Sequence, residues 1–273
     1  MFPRFFTYPP IVLLGLGLLA QPADAEVVKA RYSVSLIGLR IGEANAIGAI
    51  QHAAYRIGLD AKLTGIAAWL AHVKMALQSS GHIRKGVVLP SAYATTSANS
   101  EQVRTVRMAL DAGTVKAVEI TPPFEDREGR VPVTAANKRN VLDPMSALIM
   151  AVPPNEPLVG PAACNRTLPI YDGVVRFDLT MSYAGTRDVS VKGYSGPVTV
   201  CNVRYRPIAG HRPDARSTRF MMENRDIEAW LAPVEPAHVV VPFHVALRTL
   251  AGMAVVDAVE FSVEPDTAAK AER

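Results

Sequence analysis

The chain of 273 residues has only two cysteines and two tryptophans, and aromatic residues make up 7% of it. Two cysteines close one bridge at most, so a disulfide-dense scaffold and a multi-cysteine metal centre are both excluded. No C-x-x-C pair, no H-E-x-x-H and no G-x-S-x-G occurs. Dithiol redox chemistry, zincin hydrolysis and the α/β-hydrolase elbow therefore lack their signatures. No glycine-rich loop follows a strand-like run, which removes the usual phosphate cradle. Charge of one sign is also scarce: 29 basic and 25 acidic side chains leave +4. The densest basic stretch, Arg204, Arg206, Arg212, Arg216 and Arg219, has the spacing of strand and turn residues with solvated tips. Nucleic-acid binding requires a clustered basic face, and no such partner is predicted.

Long apolar runs are confined to the start. Arg4 precedes the run Ile11 to Ala20, and Ala23-Asp24-Ala25 follows as a small-residue exit. This order predicts a signal peptide over residues 1–25, cleaved after Ala25, with the mature chain beginning at Glu26. The run is shorter than the roughly 20 residues that span a bilayer. No cysteine stands beside the cleavage point, and no later segment reaches spanning length without a charge. An exported chain that is not an integral membrane protein is predicted. In such a compartment Cys164 and Cys201, 37 residues apart, are expected to form one disulfide. Neither lies in a C-x-x-C arrangement or near a histidine, which argues against a metal or redox pair.

Between these points the pattern is mostly β. Tyr55, Ile57, Leu59, Ala61 and Leu63 alternate with Arg56, Gly58, Asp60 and Lys62, as in a strand with one buried face. Similar runs occupy Arg31 to Arg40, Val103 to Leu110, Thr114 to Ile120, Val174 to Tyr183, Val198 to Arg206, Ile227 to Leu231 and Val255 to Val263. Asp111-Ala112-Gly113 and Asp172-Gly173 are turn signals. Two helices are predicted. Ile66 to Ser79 places Ile66, Leu70, Val73 and Leu77 near one helical face, with Gly81 beyond its end. Asp143 to Met150 begins with an N-cap candidate and with Pro144 at the first helical position, and Pro153-Pro154 ends it. The stretch from Pro122 to Asn140 is polar and reads as a loop between two halves. The expected organisation is a signal peptide (1–25), a single β domain (26–264) and a flexible C-terminal tail (265–273).

Several segments in order resemble one known family. Tyr32-Ser33-Val34-Ser35-Leu36 is followed by Gly38 and Gly42; Leu142-Asp143-Pro144-Met145-Ser146-Ala147-Leu148 gives a D-P-x-S-A-L start; Tyr171-Asp172-Gly173 precedes a long strand. Cys201-Asn202-Val203-Arg204-Tyr205 precedes Ile208-Ala209-Gly210-His211, and Ala229-Trp230-Leu231 and Val241-Pro242 close the series. Together they resemble the DUF3108 family of exported bacterial proteins over nearly the whole mature chain. The resemblance implies a periplasmic protein with a mainly β fold: a curved antiparallel sheet wrapping into a partly open β-barrel or spiral, with two short helices. That shape is similar to periplasmic lipoprotein carriers. No catalytic residue comes with it.

The remaining side chains give candidates without a constellation. Among the six histidines, His52, His72, His82, His211, His238 and His244, only the last two lie close in sequence. On an extended strand those two share a face about 20 Å apart, too far for one metal, and both read as surface residues. No metal site, no cofactor and no catalytic residue is predicted. Asp143 is explained by capping, Ser146 similarly, and Gly38 and Gly42 by bends or bulges. A curved sheet that does not close leaves a concave apolar face, which the two predicted helices are expected to cover. This makes Trp69, Met75, Met145 and Leu148 candidate ligand-facing residues, joined by His211 and Arg212 on a polar loop. The expected activity is non-enzymatic binding of a lipid, a lipid-linked ligand or an envelope partner. The alternatives are a hydrolase of envelope polymer, using Asp126, Glu128, His211 and Asp214, and a scaffold that adds a strand to a partner at an open sheet edge.

Overall fold

The computed structural model describes residues 26–50, 54–124, 128–235 and 237–265. The predicted leader and its cleavage site, His52, Asp126 and the tail beyond Pro265 lie outside them. Fourteen strands follow in chain order: β1 (Glu26–Leu36), β2 (Leu39–Ile50), β3 (Tyr55–Leu63), β4 (Lys74–Arg84), β5 (Val87–Ala98), β6 (Val103–Asp111), β7 (Thr114–Thr121), β8 (Met150–Ala151), β9 (Arg166–Tyr171), β10 (Arg176–Val191), β11 (Tyr194–Ala209), β12 (Ile227–Val234), β13 (Val239–Thr249) and β14 (Gly252–Pro265). Three short helices accompany them: α1 (Gly65–Leu70), α2 (Pro161–Cys164) and α3 (Arg216–Glu223).

The strands form one antiparallel sheet in the order β7-β6-β5-β4-β3-β2-β1-β14-β13-β12-β11-β10-β9, with β8 attached to β13. Two meanders thus meet at the first and last strands. β1 and β14 pair from Glu26↔Pro265 to Leu36↔Ala254, with one register shift at Arg31/Tyr32. A sheet this wide must curl, because each strand is rotated against its neighbour. The curl brings the two ends face to face without joining them directly. Residues 141–142 bridge the gap. Val141 N–H donates to Gly113 O in the β6–β7 turn at 2.9 Å, and Leu142 N–H donates to Pro169 O on β9 at 2.7 Å. The result is the expected partly open barrel.

The two predicted helices are corrected. Residues 74–84 form β4, because Leu77, Ser79, Gly81 and Ile83 turn inward at a period of two. The apparent helical spacing fails at both ends: α1 stops at Leu70, where Ala71 is already extended, and Ser79-Ser80-Gly81 has poor helical propensity. The segment after Asp143 forms only a 3₁₀ turn, Ser146–Leu148, before Ile149 extends and Met150–Ala151 pair with Val239 and Val240. Pairing of Met150 and Ala151 with β13 ends the turn after one winding. The run Arg31 to Arg40 is likewise two strands, reversed at Ile37-Gly38, where Gly38 has φ 76°.

Cys164 on α2 and Cys201 on β11 form the expected disulfide, with Cα atoms 5.5 Å apart and no exposure of either residue. A 37-residue loop closed in this way contributes about 3–4 kcal/mol on the chain-entropy model. Cys201→Ser should therefore lower Tm by about 6–16 °C under oxidising conditions, measured by calorimetry. An unchanged Tm would remove the disulfide from the stability of the fold.

Candidate functional site

The stretch Val141 to Val152 runs through the interior of the curled sheet. Val141, Met145 and Ile149 join the larger apolar cluster, which lies against β1, β3, β5, β6, β13 and β14. Ala147, Met150 and Val152 join a second cluster around the disulfide. Two polar residues on this segment, Asp143 and Ser146, are fully buried, so each needs partners in place of water. Asp143 Oδ1 accepts the N–H groups of Met145 and Ser146, both at 2.9 Å. Its Oδ2 accepts the Ser146 hydroxyl and lies 3.0 Å from the Ser79 hydroxyl. Tyr55 OH and Ser146 Oγ share a hydrogen bond at 2.6 Å, and Ser79 Oγ lies 2.9 Å from Ser146 Oγ. Burial pushes the Asp143 carboxyl above its ordinary value of 3.8, against the opposing hydrogen bonds from Ser146, Ser79 and the backbone. Burial likewise raises the Tyr55 phenol, so it stays protonated as a donor. Asp143 is a cap, as the sequence suggested, and it is also the centre of a clip fastening the segment to β3 and β4. Ser79 and Tyr55 escape sequence reasoning, because nothing local marks them.

Above this segment, on the concave face of β1, β2, β3, β13 and β14, lies an apolar cavity of about 230 Å³. Its cause is a column of small side chains. Ala44, Ala46 and Gly48 alternate along β2 toward the interior, and Ala30 is the cross-strand partner of Ala46. Leu148 and Ile149 form part of the lining, and only Tyr32 and His244 bring polar side-chain atoms to it. Tyr32 OH is spent on Pro242 O at 2.7 Å. Sheet register fixes His244. It faces Trp230 on β12 and Asp257 on β14 as direct cross-strand neighbours. Its ring stacks on Trp230 with centroids 4.2 Å apart, and its Nδ1 shares a hydrogen bond with Asp257 Oδ1 at 2.5 Å. The Arg187 guanidinium covers the other part of the stack, 4.9 Å from the Trp230 ring. The alternating small residues of β2 were the sequence signal for this cavity.

The six candidate ligand-facing residues are not brought together. Leu148 lines the cavity, and Met145 is buried beside it in the core. Trp69 is 83% exposed on α1 and Met75 is 39% exposed at the start of β4, both away from the cavity. The idea that their segment covers the concave face is corrected with the helix that carried it; residues 141–152 do that work. His211 and Arg212 sit on the loop after β11, which pairs with the polar stretch through Val131 N–H donating to His211 O at 2.9 Å. Arg212 also donates to Glu128 O. His238 is bound to Pro153 O in a turn, whereas His244 is largely buried, so the surface reading fails for His244.

A family model described as a protein of unknown function, DUF3108, matches residues 31–258. No curated protein matches the chain significantly. Among solved structures, the chain is similar to a β-barrel-like protein of domain of unknown function DUF1849 from Brucella abortus. The two share 8% identity, with 90% of this chain and 99% of that one covered and a TM-score of 0.47.

The buried clip yields a stability prediction. Asp143→Ala removes the acceptor of two buried backbone N–H groups and of the Ser146 hydroxyl, while Ser79 keeps Ala92 O, and should cost about 3–5 kcal/mol, or about 6–20 °C in Tm. Asp143→Asn keeps an acceptor for the N–H groups and should cost less than half of that. The raised carboxyl pKa means that the folded state holds the proton longer than the unfolded state. The contribution of Asp143 to stability should therefore fall as pH rises from about 3.8 through its folded pKa, so the stability of wild type relative to Asp143→Asn should decline across that range. Denaturant melts across this range check both statements; equal losses for the two variants would contradict the clip.

Proposed function

The chain belongs to the DUF3108 family, and from the cavity it carries we propose that this member is a non-enzymatic periplasmic protein that binds a small apolar molecule or the apolar end of a lipid-like one. The observation that carries this reading is the lining of the cavity, apolar throughout except for a spent phenol and a single positioned imidazole. Pockets for drug-sized ligands run from about 300 Å³, and an apolar void of about 150 Å³ accepts benzene. At about 230 Å³ the space suits a ring or a short alkyl segment, with a polar terminus meeting His244. The signal-like start and the disulfide agree with an exported address, and among the described residues no helix is long and apolar enough to cross a membrane.

One observation favours a second reading, strand addition to an envelope partner. β9 pairs only with Arg176 to Met181 of β10, so the outer edge of β10 beyond Tyr183 has no strand neighbour among the described residues. Such an edge offers main-chain groups to another chain.

Ligand binding is tested by native mass spectrometry of gently purified protein and by displacement of a naphthalene-sulfonate dye with medium-chain fatty acids. A reproducible extra mass or dye displacement is expected. Ala46→Leu fills the cavity, and should abolish binding while raising the Tm of the free protein. A bare mass, no dye binding and an indifferent Ala46→Leu variant would reject the cavity as a site and leave the open β10 edge as the better reading.

A further inference from the structure

The connections of an antiparallel meander alternate between the two ends of the sheet. At one end lie the β1–β2 turn, the β3–β4 connection with α1, the β13–β14 turn and the β11–β12 connection with α3. Most of the large apolar side chains exposed among the described residues stand on this rim. Trp69 is 83% exposed, Leu39 72%, Ile37 68%, Met222 54%, Leu250 50% and Met253 38%. At the opposite end the tight turns read Lys85-Gly86, Ala112-Gly113 and Lys192-Gly193.

The apolar tips are built rather than incidental. Ile37 has φ 52°, a left-handed conformation that a β-branched residue adopts only at a cost. Two-residue hairpin turns ordinarily place Asn, Asp or Gly at this position. Here the turn holds an isoleucine outward. Its neighbour is fixed to it: Ile37 N–H donates to Met253 O at 2.8 Å, and a side chain at Gly252 would collide with Ile37 Cγ1 at 2.6 Å. The β13–β14 and β1–β2 tips are two strands apart, and α1 follows after two more. At about 4.8 Å per strand the apolar row runs for about 20 Å.

Charge lies beside this row. Arg216 and Arg219 are one turn apart on α3, and with Arg248 they line a shallow groove against Leu250 and Met253. Arg40 stands next to Leu39. Glu43 and Asp226 are taken up by Arg40, Lys62 and Arg248, and Glu223 also borders the groove. Arg216 and Arg219 have no carboxylate partner among the described residues. We propose that this rim is a docking surface for an anionic lipid bilayer, with the turn tips entering the headgroup boundary and the α3 arginines meeting lipid phosphates. Apolar side chains spaced singly along turns suit a fluid interface, which accommodates each one separately. A protein partner would need a continuous complementary surface. An exposed tryptophan is the side chain that membrane–water interfaces favour most.

The test is co-sedimentation of the full mature protein with vesicles of phosphatidylethanolamine and phosphatidylglycerol, and with neutral phosphatidylcholine vesicles as comparison. Trp230→Phe leaves Trp69 as the sole tryptophan and reports insertion by a blue shift. Binding to anionic vesicles with that shift is expected, falling at least about tenfold for Leu39→Ser with Trp69→Ser, whose side chains touch no core. Arg216→Glu with Arg219→Glu should abolish the preference for anionic lipid. Circular dichroism on each variant keeps folding separate from binding. No sedimentation with anionic vesicles, equal binding by all variants, or a dimer formed through the rim would overturn the proposal. The cavity variant Ala46→Leu should bind vesicles like wild type, so this outcome stands apart from ligand binding in the interior.

Discussion

An open, curled sheet has two needs that a closed barrel does not: its concave apolar face has to be covered, and its ends have to be held in position. Residues 141–152 meet both. They are apolar except where Asp143 and Ser146 must be, and those two polar groups find partners on β3, on β4 and within their own turn. Burying a carboxyl without such partners costs several kcal/mol, so the clip and the buried path stand or fall together. The same segment bridges the β6–β7 turn to β9. One strip of chain therefore sets the curl and contributes to both core clusters, the second of which also holds the disulfide.

The cavity follows from this arrangement. Leu148 and Ile149 supply part of its wall, and the small residues of β1 and β2 keep them from packing flat against the sheet. A larger side chain at Ala44 or Ala46 would close the space without disturbing the hydrogen-bonded ladder, since side chains on a strand point away from it. The column of Ala44, Ala46 and Gly48 with Ala30 across from it leaves space that larger neighbours such as Ile50, Ile57 and Val241 do not fill, and this is the chemical reason for reading the space as a site. His244 is held by three strands in register, which gives an incoming polar group a fixed partner.

Much of this was legible beforehand. β3, β6 and β7 show clean alternation, and the pairing of Cys164 with Cys201 was expected from the signal-like pattern of the first 25 residues and an even cysteine count. β4 was misread, because Leu77 satisfies a helical spacing and a strand spacing alike, and only the partner strand decides. β5 and β13 carry Pro90 and Pro242, which interrupt a strand pattern on paper; in the sheet they sit at or beside register shifts, where a missing N–H is tolerated. Asp143 was recognisable as a cap from its own neighbours. Its tie to Ser79 spans 64 residues and that of Ser146 to Tyr55 spans 91, and no local rule reaches so far. The exposed position of Trp69 was hidden because α1 stops at Leu70: a helix continued to Ser79 would have lain along the sheet, whereas the six-residue helix stays at its rim.

The dependence of the sheet on its buried segment is most directly tested by native-state hydrogen exchange. The amides of Ala147, Leu148 and Ile149 donate to carbonyls only a few residues away, so their protection reports the packing of the segment rather than a strand ladder. If the segment holds the curl, these amides exchange only with global unfolding, at the same free energy as the central β1–β14 pair. Exchange that is orders of magnitude faster at 147–149, while β1 and β14 stay protected, would show that the sheet keeps its shape without the segment and would contradict the account.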